Sequence, residues 1–205
     1  MNDNYRRKIV GLGDRFIKQY DAIVSNGDAV SKHNFRLPET ISLLHEVNGK
    51  DYEDHLFVDD NGKARINLNN WEEGVLAEEQ RQADFVCWLR NPPRKPWSLC
   101  IPYETGGEQK RAYPDFIIIR KGSDDEYVVD ILEPHDPTRI DNLGKARGFA
   151  EYARQNPGVG RIQLIRMGKD AVGHNRFKRL DMAMSTVRDK VSRAMTNDEL
   201  DHIFD

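Results

Sequence analysis

The stretch "YPDFIIIRKGSDDEYVVDILEPHDP", residues 113–137, decides the fold, because two apolar runs flank a short polar turn. Residues 112–120 and 126–133 are rich in β-branched and aromatic side chains and predict two antiparallel strands. Each strand carries an acid: Asp115 opens the first apolar run, and Asp130 lies between Val129 and Ile131. Burying an unpaired carboxylate is costly, so each of these two acids requires a partner.

Two kinds of partner are open at this point. Asp115 and Asp130 lie on adjacent predicted strands and could approach each other across the sheet. Two such carboxylates would suit Mg²⁺, which accepts one or two carboxylates, keeps several waters and binds substrate phosphate. Alternatively, Asp115 caps a turn and Asp130 pairs with an arginine.

The segments around this pair predict an α/β sandwich with a mixed central sheet. Short polar turns join three strands into a meander, and a crossover helix leads to a fourth strand. Farther along, a helical stripe ends in a last short helix that starts at "TNDELDHIF". The predicted elements are a helix over 71–89, strands over 97–103, 112–120 and 126–133, a helix over 141–154, a strand over 161–167, and a C-terminal helical stripe of Phe177, Leu180, Met184, Val187 and Val191.

Residues 1–69 are predicted to form an accessory N-terminal region of helices and a hairpin, separate from a main domain over 70–205. Apolar residues at helical spacing predict a first helix over 5–24, and a shorter helix is expected after Pro38, carrying Ile41, Leu44 and Val47. The sequence Asn61-Gly62 suits a tight turn between two strand-like runs.

Composition excludes several classes of protein. With 38% hydrophobic and 32% charged residues, the chain is an ordinary globular protein, and no apolar stretch approaches membrane-spanning length. Two cysteines, Cys87 and Cys100, form neither a disulfide framework nor a zinc pattern, which favours the cytoplasm. With a net charge of −3, the chain would contact nucleic acid through a local basic patch or with help from a tethered partner. Two candidate patches are Arg94, Lys95, Lys110 and Arg111 around the strand turns, and Arg176, Lys178, Arg179, Arg188, Lys190 and Arg193 near the C-terminus.

Three short motifs follow one another along the chain: Trp-Leu-Arg-Asn-Pro at 88–92, Ile-Pro-Tyr at 101–103 and Tyr-Pro-Asp-Phe at 113–116. In this order they resemble the PD-(D/E)XK nuclease superfamily, and most closely the nuclease domains at the C-termini of restriction-type and phage-defence helicases. The resemblance covers roughly residues 71–167. It implies a restriction-endonuclease-like αβββαβ sandwich.

The resemblance also implies a function. Asp115 and Asp130 would be ligands of Mg²⁺ or Mn²⁺ in an enzyme that cleaves DNA phosphodiesters. The enzyme would act as the nuclease domain of a restriction or anti-phage defence helicase, with the helicase or ATPase region in the same or a partner protein. The alternative is a catalytically silent domain of the same fold that docks DNA or assembles a helicase.

The chain departs from the superfamily pattern where an acid, one residue and a lysine are expected. Leu132 stands in the lysine position after Asp130. Lys145, on the following helix, could supply the charge, and Gly144 and Gly148 would let that helix approach the sheet. A solvated surface lysine is the simpler interpretation of Lys145.

A second substitute lies in "EPHDP", where Glu133 and His135 repeat the acid-x-base spacing. His135 could position or deprotonate water, and Glu133 could join the metal ligands. Asp130 and Glu133 differ by an odd number, so both could serve one metal only if the strand ended or bulged near Pro134. A turn with a capping histidine is the simpler interpretation.

The superfamily often adds a glutamate from its first helix. Glu72 and Glu79 share one helical stripe with Val75 and Val86, so either could face the site. Glu79 is nearer the middle of the predicted helix and is chosen as the additional metal ligand. An exposed glutamate is the commoner fate of such a residue.

Overall fold

The computed structural model describes residues 2–8, 13–27, 37–44, 48–123 and 126–204, and over these residues the chain forms five helices and twelve strands. The predicted mixed α/β class is confirmed. In chain order the elements are β1 (Asn2–Arg7), α1 (Gly13–Gly27), β2 (Thr40–Leu44), β3 (Lys50–Tyr52), β4 (Phe57–Val58), β5 (Ala64–Ile66), α2 (Asn70–Gln80), β6 (Phe85–Arg90), β7 (Ile101–Thr105), β8 (Glu108–Ala112), β9 (Phe116–Lys121), β10 (Tyr127–Pro134), α3 (Asn142–Gln155), β11 (Ile162–Lys169), β12 (Asn175–Asp181), α4 (Ser185–Arg193) and α5 (Asn197–Ile203).

A five-stranded central sheet organises the molecule, in the order β12-β11-β10-β9-β6. Strands β10 and β11 are parallel, and the other neighbouring pairs are antiparallel, so the sheet is mixed as predicted. The parallel pair requires a crossover, which α3 supplies. Fully buried isoleucines of β9 contribute to the core of this sheet.

The register of β9 against β10 determines which acids can meet. Phe116 is paired with Leu132, and Ile118 is paired with Asp130. Asp130 therefore lies opposite an apolar residue in the middle of the sheet. One step beyond the Phe116–Leu132 pair, the backbone N–H of Asp115 donates to Glu133 Oε2 at 3.1 Å.

Two strands of the central sheet lie where helix was predicted. The helix expected over 71–89 ends at Gln80, and β6 follows after a short turn. The run Val86-Cys87-Trp88-Leu89 is a strand because it pairs with β9, a contact that local spacing does not reveal. The first part of the C-terminal helical stripe is β12, which pairs with β11, and only residues 185–193 are helical.

The segment predicted as a strand over 97–103 begins later, at Ile101, and pairs with β8 in a separate two-stranded hairpin. Helix α3 packs closely against this hairpin through two glycines. A Cβ added to Gly144 would lie 2.4 Å from the carbonyl oxygen of Glu104, and one added to Gly148 would lie 2.7 Å from that of Pro102. The close approach predicted for this helix is therefore made to β7 of the hairpin and not to the central sheet.

The N-terminal region differs in detail from the prediction. Residues 2–7 form β1 instead of the start of a helix, and α1 begins at Gly13. The segment after Pro38 is strand β2, not helix, while Ile9, Leu12 and Val47 lie outside the described residues. The turn at Asn61-Gly62 is present, with Gly62 at φ 76°, but β4 pairs with β1 and β5 with β3.

The N-terminal region and the central sheet contribute to one buried core. The carbonyl oxygen of Ile23 accepts a hydrogen bond from the Tyr152 hydroxyl at 2.8 Å, and the His55 ring packs edge-on against Trp88. The division at residue 69 stays a prediction. Among the described residues, no helix is both long and apolar enough to cross a membrane.

Candidate active site

An open cleft of about 880 Å³ lies where the start of β9, the end of β10 and the start of α3 meet. We call it the carboxylate cleft, because both the acids at the end of the β9–β10 pair line it. Cations and aromatic rings complete its wall. Its lining includes the acids Glu72, Asp115, Glu133, Asp136 and Asp141, the cations Arg111, Arg139 and Lys145, and the rings of Trp71, Tyr103, Tyr113 and His135.

Asp115, Glu133 and Lys145 form the centre of the carboxylate cleft. Glu133 receives the Asp115 backbone N–H on Oε2 at 3.1 Å and the Lys145 ammonium on Oε1 at 2.8 Å. Glu133 and Lys145 are largely shielded from solvent, with side chains 9% and 14% exposed. The lysine on α3 thus lies beside Glu133, on the opposite face of β10 from Asp130.

Burial makes both carboxyl groups of the centre costly to ionise. Burial, and secondarily the charge of Glu133, raises the pKa of Asp115 to about 7. Burial also raises the pKa of Glu133, although the neighbouring Lys145 ammonium opposes that shift. Two acids held together in this way form a site that favours a cation.

Arg90, at the end of β6, connects Asp115 to the first turn of α2. Its Nη2 lies 3.1 Å from Asp115 Oδ1 and 3.0 Å from Glu72 Oε1. The other oxygen of Glu72 accepts the backbone N–H of Asn69 at 2.8 Å, which completes a capping box. Glu72 is therefore fixed by the helix cap while it orients the arginine that contacts Asp115.

His135 lines the cleft two residues after Glu133. Its ring packs against Phe204 at a centroid distance of 5.6 Å, and its buried Nδ1 lacks a hydrogen-bond partner among the described residues. Burial, with the nearby charges of Lys145 and Arg166, lowers the pKa of His135 to about 4. The imidazole is therefore neutral near pH 7.

Asp130 is not part of the carboxylate cleft. Its buried carboxylate is held by Arg120 through Nε and Nη2 and by Arg161, whose Nε donates to Oδ2 at 2.8 Å and whose backbone N–H donates to Oδ1 at 2.7 Å. Because β10 runs without a bulge to Pro134, Asp130 and Glu133 face opposite sides of the sheet. The expected approach of Asp130 to Asp115 does not occur, and the arginine-pairing alternative describes Asp130.

Glu79 belongs to the same buried ion network as Asp130. Its carboxylate is 2% exposed and accepts hydrogen bonds from Arg161 at 2.5 Å and from Arg179 at 2.7 Å. With both oxygens bound by guanidinium groups, Glu79 has the surroundings of a structural ion pair. Glu72, the other acid on the predicted stripe, is the one that lines the cleft.

The donor set at the cleft fits a hard divalent cation with water in its remaining positions. In the part of the chain that the structure describes, three or more His, Cys, Asp or Glu side chains nowhere form a complete metal cage. Mg²⁺ needs fewer, because it binds through one or two carboxylates and retains waters. Asp115 and Glu133 supply two carboxylates whose raised pKa values a cation would relieve.

Three contributors to the cleft were given no role there from the sequence: Arg90 and Tyr103, which lie within the quoted motifs, and Asp141. The Tyr103 hydroxyl donates to Asp141 Oδ2 at 2.7 Å and so joins the hairpin to the start of α3. For Glu72, the pattern Asn69-x-x-Glu72 was a usable signal, because a capping box fixes the glutamate at the helix start. Tyr103 and Asp141 lie on separate elements and had no shared local signal.

Comparison with known proteins places the chain in a family. Over 141 residues, 68% of this chain, it is 32% identical to Protein YagJ of Escherichia coli (strain K12). That match spans 56% of the length of the relative. No solved structure matches the chain. The YagJ family matches residues 53–205, from just before His55 through the whole carboxylate cleft, and the chain belongs to this family.

Proposed function

We propose that the protein is a divalent-metal-dependent nuclease of PD-(D/E)XK type with a restriction-endonuclease-like core. The observation that carries the proposal is the contact of Asp115 with Glu133 and of Glu133 with Lys145 in one open cleft. In chain order, α2, β6, β9, β10, α3 and β11 give a helix, three antiparallel strands, a helix and a parallel strand. That order supports an αβββαβ core in which β6, instead of the strand expected over 97–103, is the first strand, and the β7–β8 hairpin follows it.

The residues divide the chemistry among them. Asp115 and Glu133 would hold Mg²⁺ or Mn²⁺, which when bound supplies Lewis-acid chemistry to the phosphodiester and the attacking water. Lys145, beside Glu133, orients the attacking water or a phosphate oxygen through its ammonium hydrogens. Arg111 and Arg139, both exposed at the cleft, attract the phosphate backbone. A restriction or defence setting and a helicase partner belong to the same proposal, through the resemblance alone.

A catalytically silent nucleic-acid-docking domain is the second candidate, and one observation favours it. Each carboxylate of the centre already has a cationic neighbour, since Arg90 contacts Asp115 at 3.1 Å and Lys145 contacts Glu133 at 2.8 Å. In this candidate, the two ion pairs persist and no metal ion replaces them. Metal-dependent cleavage distinguishes the two candidates, because only the nuclease would show it.

The test is cleavage of labelled single-stranded and duplex DNA and of RNA, in Mg²⁺ or Mn²⁺ and in EDTA. We expect metal-dependent cutting that falls at least about a hundredfold in Asp115→Asn and in Lys145→Met, because each loses a charge of the centre. Lys121→Met, an exposed lysine at the far end of β9, is the matched control and should cut at the wild-type rate. Equal cutting in EDTA, or by Asp115→Asn, would refute the proposal.

A further inference from the structure

A second concave surface continues from the carboxylate cleft over the β7–β8 hairpin. We call it the basic groove. It encloses about 700 Å³ and shares Tyr103, Arg111 and Tyr113 with the carboxylate cleft. A ligand that lies along the groove can therefore extend directly into the carboxylate cleft, where the Asp115–Glu133 centre lies.

The groove has one sign of charge. Of the described residues that line it, four are cationic and none is acidic, although the chain as a whole has a net charge of −3. The cations are Arg94, Lys95, Lys110 and Arg111, and all four are exposed. Lys110 lies 4.0 Å from Glu108, an exposed pair that contributes little. Such a patch attracts a polyanion locally on an otherwise acidic protein.

The loop that carries Arg94 and Lys95 is held firmly against the active centre. Asn91 is buried, and its side-chain amide donates to the carbonyl oxygens of Leu99 at 2.9 Å and Pro114 at 2.8 Å. The backbone N–H of Asn91 donates to the carbonyl oxygen of Asp115 at 3.0 Å. One residue thus fixes the cationic loop relative to Asp115, so that the groove is formed before a ligand arrives.

Aromatic rings lie where the groove meets the cleft. Tyr113 is half-buried and lines both, and the half-buried Trp71 lines the cleft. Cations along a groove with partly exposed aromatic rings are the combination that binds single strands, because unpaired bases present flat faces for stacking. A duplex keeps those faces inside its stack.

From this arrangement we infer that the basic groove binds single-stranded nucleic acid and leads it to the Asp115–Glu133 centre. The inference rests on the proposed nuclease function and adds the class of substrate. Phosphates lie along Arg94, Lys95, Lys110 and Arg111, and a base stacks on Tyr113. The chemistry of the groove is shared by DNA and RNA, which differ in the sugar.

Binding is measured by fluorescence anisotropy of labelled 20-nucleotide single strands of DNA and RNA and of duplex DNA, in EDTA to prevent turnover. We expect single strands to bind at least about tenfold tighter than duplex. Lys95→Ala/Lys110→Ala should weaken single-strand binding and reduce the slope of log K against log salt by about 1.4, since each phosphate contact contributes about 0.7. Lys190→Ala/Arg193→Ala removes the same charge from exposed positions of α4. This control should leave the single-strand affinity and the salt slope unchanged.

The stacking contact has its own pair of variants. Tyr113→Leu should weaken single-strand binding at least about fivefold, whereas Tyr113→Phe keeps the ring and should bind like wild type. Equal losses in the groove and α4 double variants, no loss in the groove variant, or duplex bound as tightly as single strands would overturn the inference. A preference for single-stranded DNA or for single-stranded RNA would support the inference and would show which sugar the groove recognises.

The two proposals fail separately. If single strands bind through the groove but no metal-dependent cutting occurs, the nuclease proposal fails and the groove stands. If Asp115-dependent cutting occurs while Lys95→Ala/Lys110→Ala binds and cuts like wild type, the groove fails and the nuclease stands.

Discussion

Two carboxylates three residues apart on β10 have opposite surroundings. Asp130 is enclosed by two arginines, which supply hydrogen bonds to both of its oxygens. Glu133 accepts the backbone N–H of Asp115 and the ammonium of a single lysine, and its charge helps to raise the pKa of the Asp115 carboxyl. A buried acid with full guanidinium pairing has no free oxygen for a ligand, whereas an acid whose pKa is raised by burial and by a second carboxyl gains from a nearby cation. The contrast supports our proposal that Glu133, and not Asp130, is the acid of β10 that serves the site.

This contrast predicts opposite effects of two isosteric substitutions on stability. Because the pKa of Asp115 is raised from 3.8 to about 7, its contribution to stability is largest at low pH and is lost as pH rises through that window. Asp115→Asn should therefore be more stable than wild type at pH 8 in EDTA, on the order of 1 kcal/mol, and the gain should shrink at pH 5. Urea unfolding at the two pH values measures it.

Asp130→Asn is the counterpart. It removes the buried charge that Arg120 and Arg161 share, leaving Arg120 with Asp84 and Arg161 with Glu79, and we expect a loss of about 3–5 kcal/mol at either pH. If Asp115→Asn were the less stable of the two at pH 8, the assignment of Asp115 to a strained site would be contradicted.

At the scale of elements, the position of Lys145 depends on how α3 packs against the β7–β8 hairpin. Gly144 and Gly148 flank the lysine, and both face backbone atoms of β7. The Tyr103 hydroxyl, bound to Asp141, fixes the start of the helix from the same strand. The hairpin therefore places the lysine against Glu133 as well as forming a wall of the basic groove.

Gly148→Ala tests this packing. Its Cβ would lie 2.6 Å from Tyr103 Cβ and 2.7 Å from the carbonyl oxygen of Pro102, so helix and hairpin must separate. We expect a stability loss of about 1–3 kcal/mol and slower cleavage, because Lys145 moves away from Glu133. Gly158→Ala, where no atom lies within 4 Å of the added Cβ, should be neutral or slightly stabilising. Denaturant unfolding and cleavage rates of the two variants check the prediction, which a Gly148→Ala protein with wild-type stability would contradict.

At the scale of the whole molecule, the order of elements from β9 to β11 was predictable, because strong apolar runs and turn residues mark it. The strands β6 and β12 were not. Val86-Cys87-Trp88-Leu89 continues a helical register, and Phe177 and Leu180 have helical spacing, so only pairing with β9 and β11 makes them strands. Sheet partners distant in sequence override local periodicity in both places.

The site was predictable in part. Asp115, Glu133, His135 and Lys145 were identified from the sequence, and the structure brings them to one cleft. Asp130 was paired with Asp115 because the register was not known. The register of β9 against β10 runs from the Lys121–Tyr127 pair to the Phe116–Leu132 pair. Continued by one residue, it places Asp115 opposite Glu133. A shift of register would have changed which acids meet.

The most direct test of the central claim is the single-turnover cleavage rate of Glu133→Gln against that of Asp130→Asn, each normalised to the folded fraction. Our assignment predicts that the cleavage rate of Glu133→Gln falls at least about a thousandfold while the protein stays folded, because the substitution removes a carboxylate of the proposed centre. Asp130→Asn should unfold more readily, yet cut within a few-fold of wild type per folded molecule. An active Glu133→Gln beside an inactive, fully folded Asp130→Asn would contradict the account.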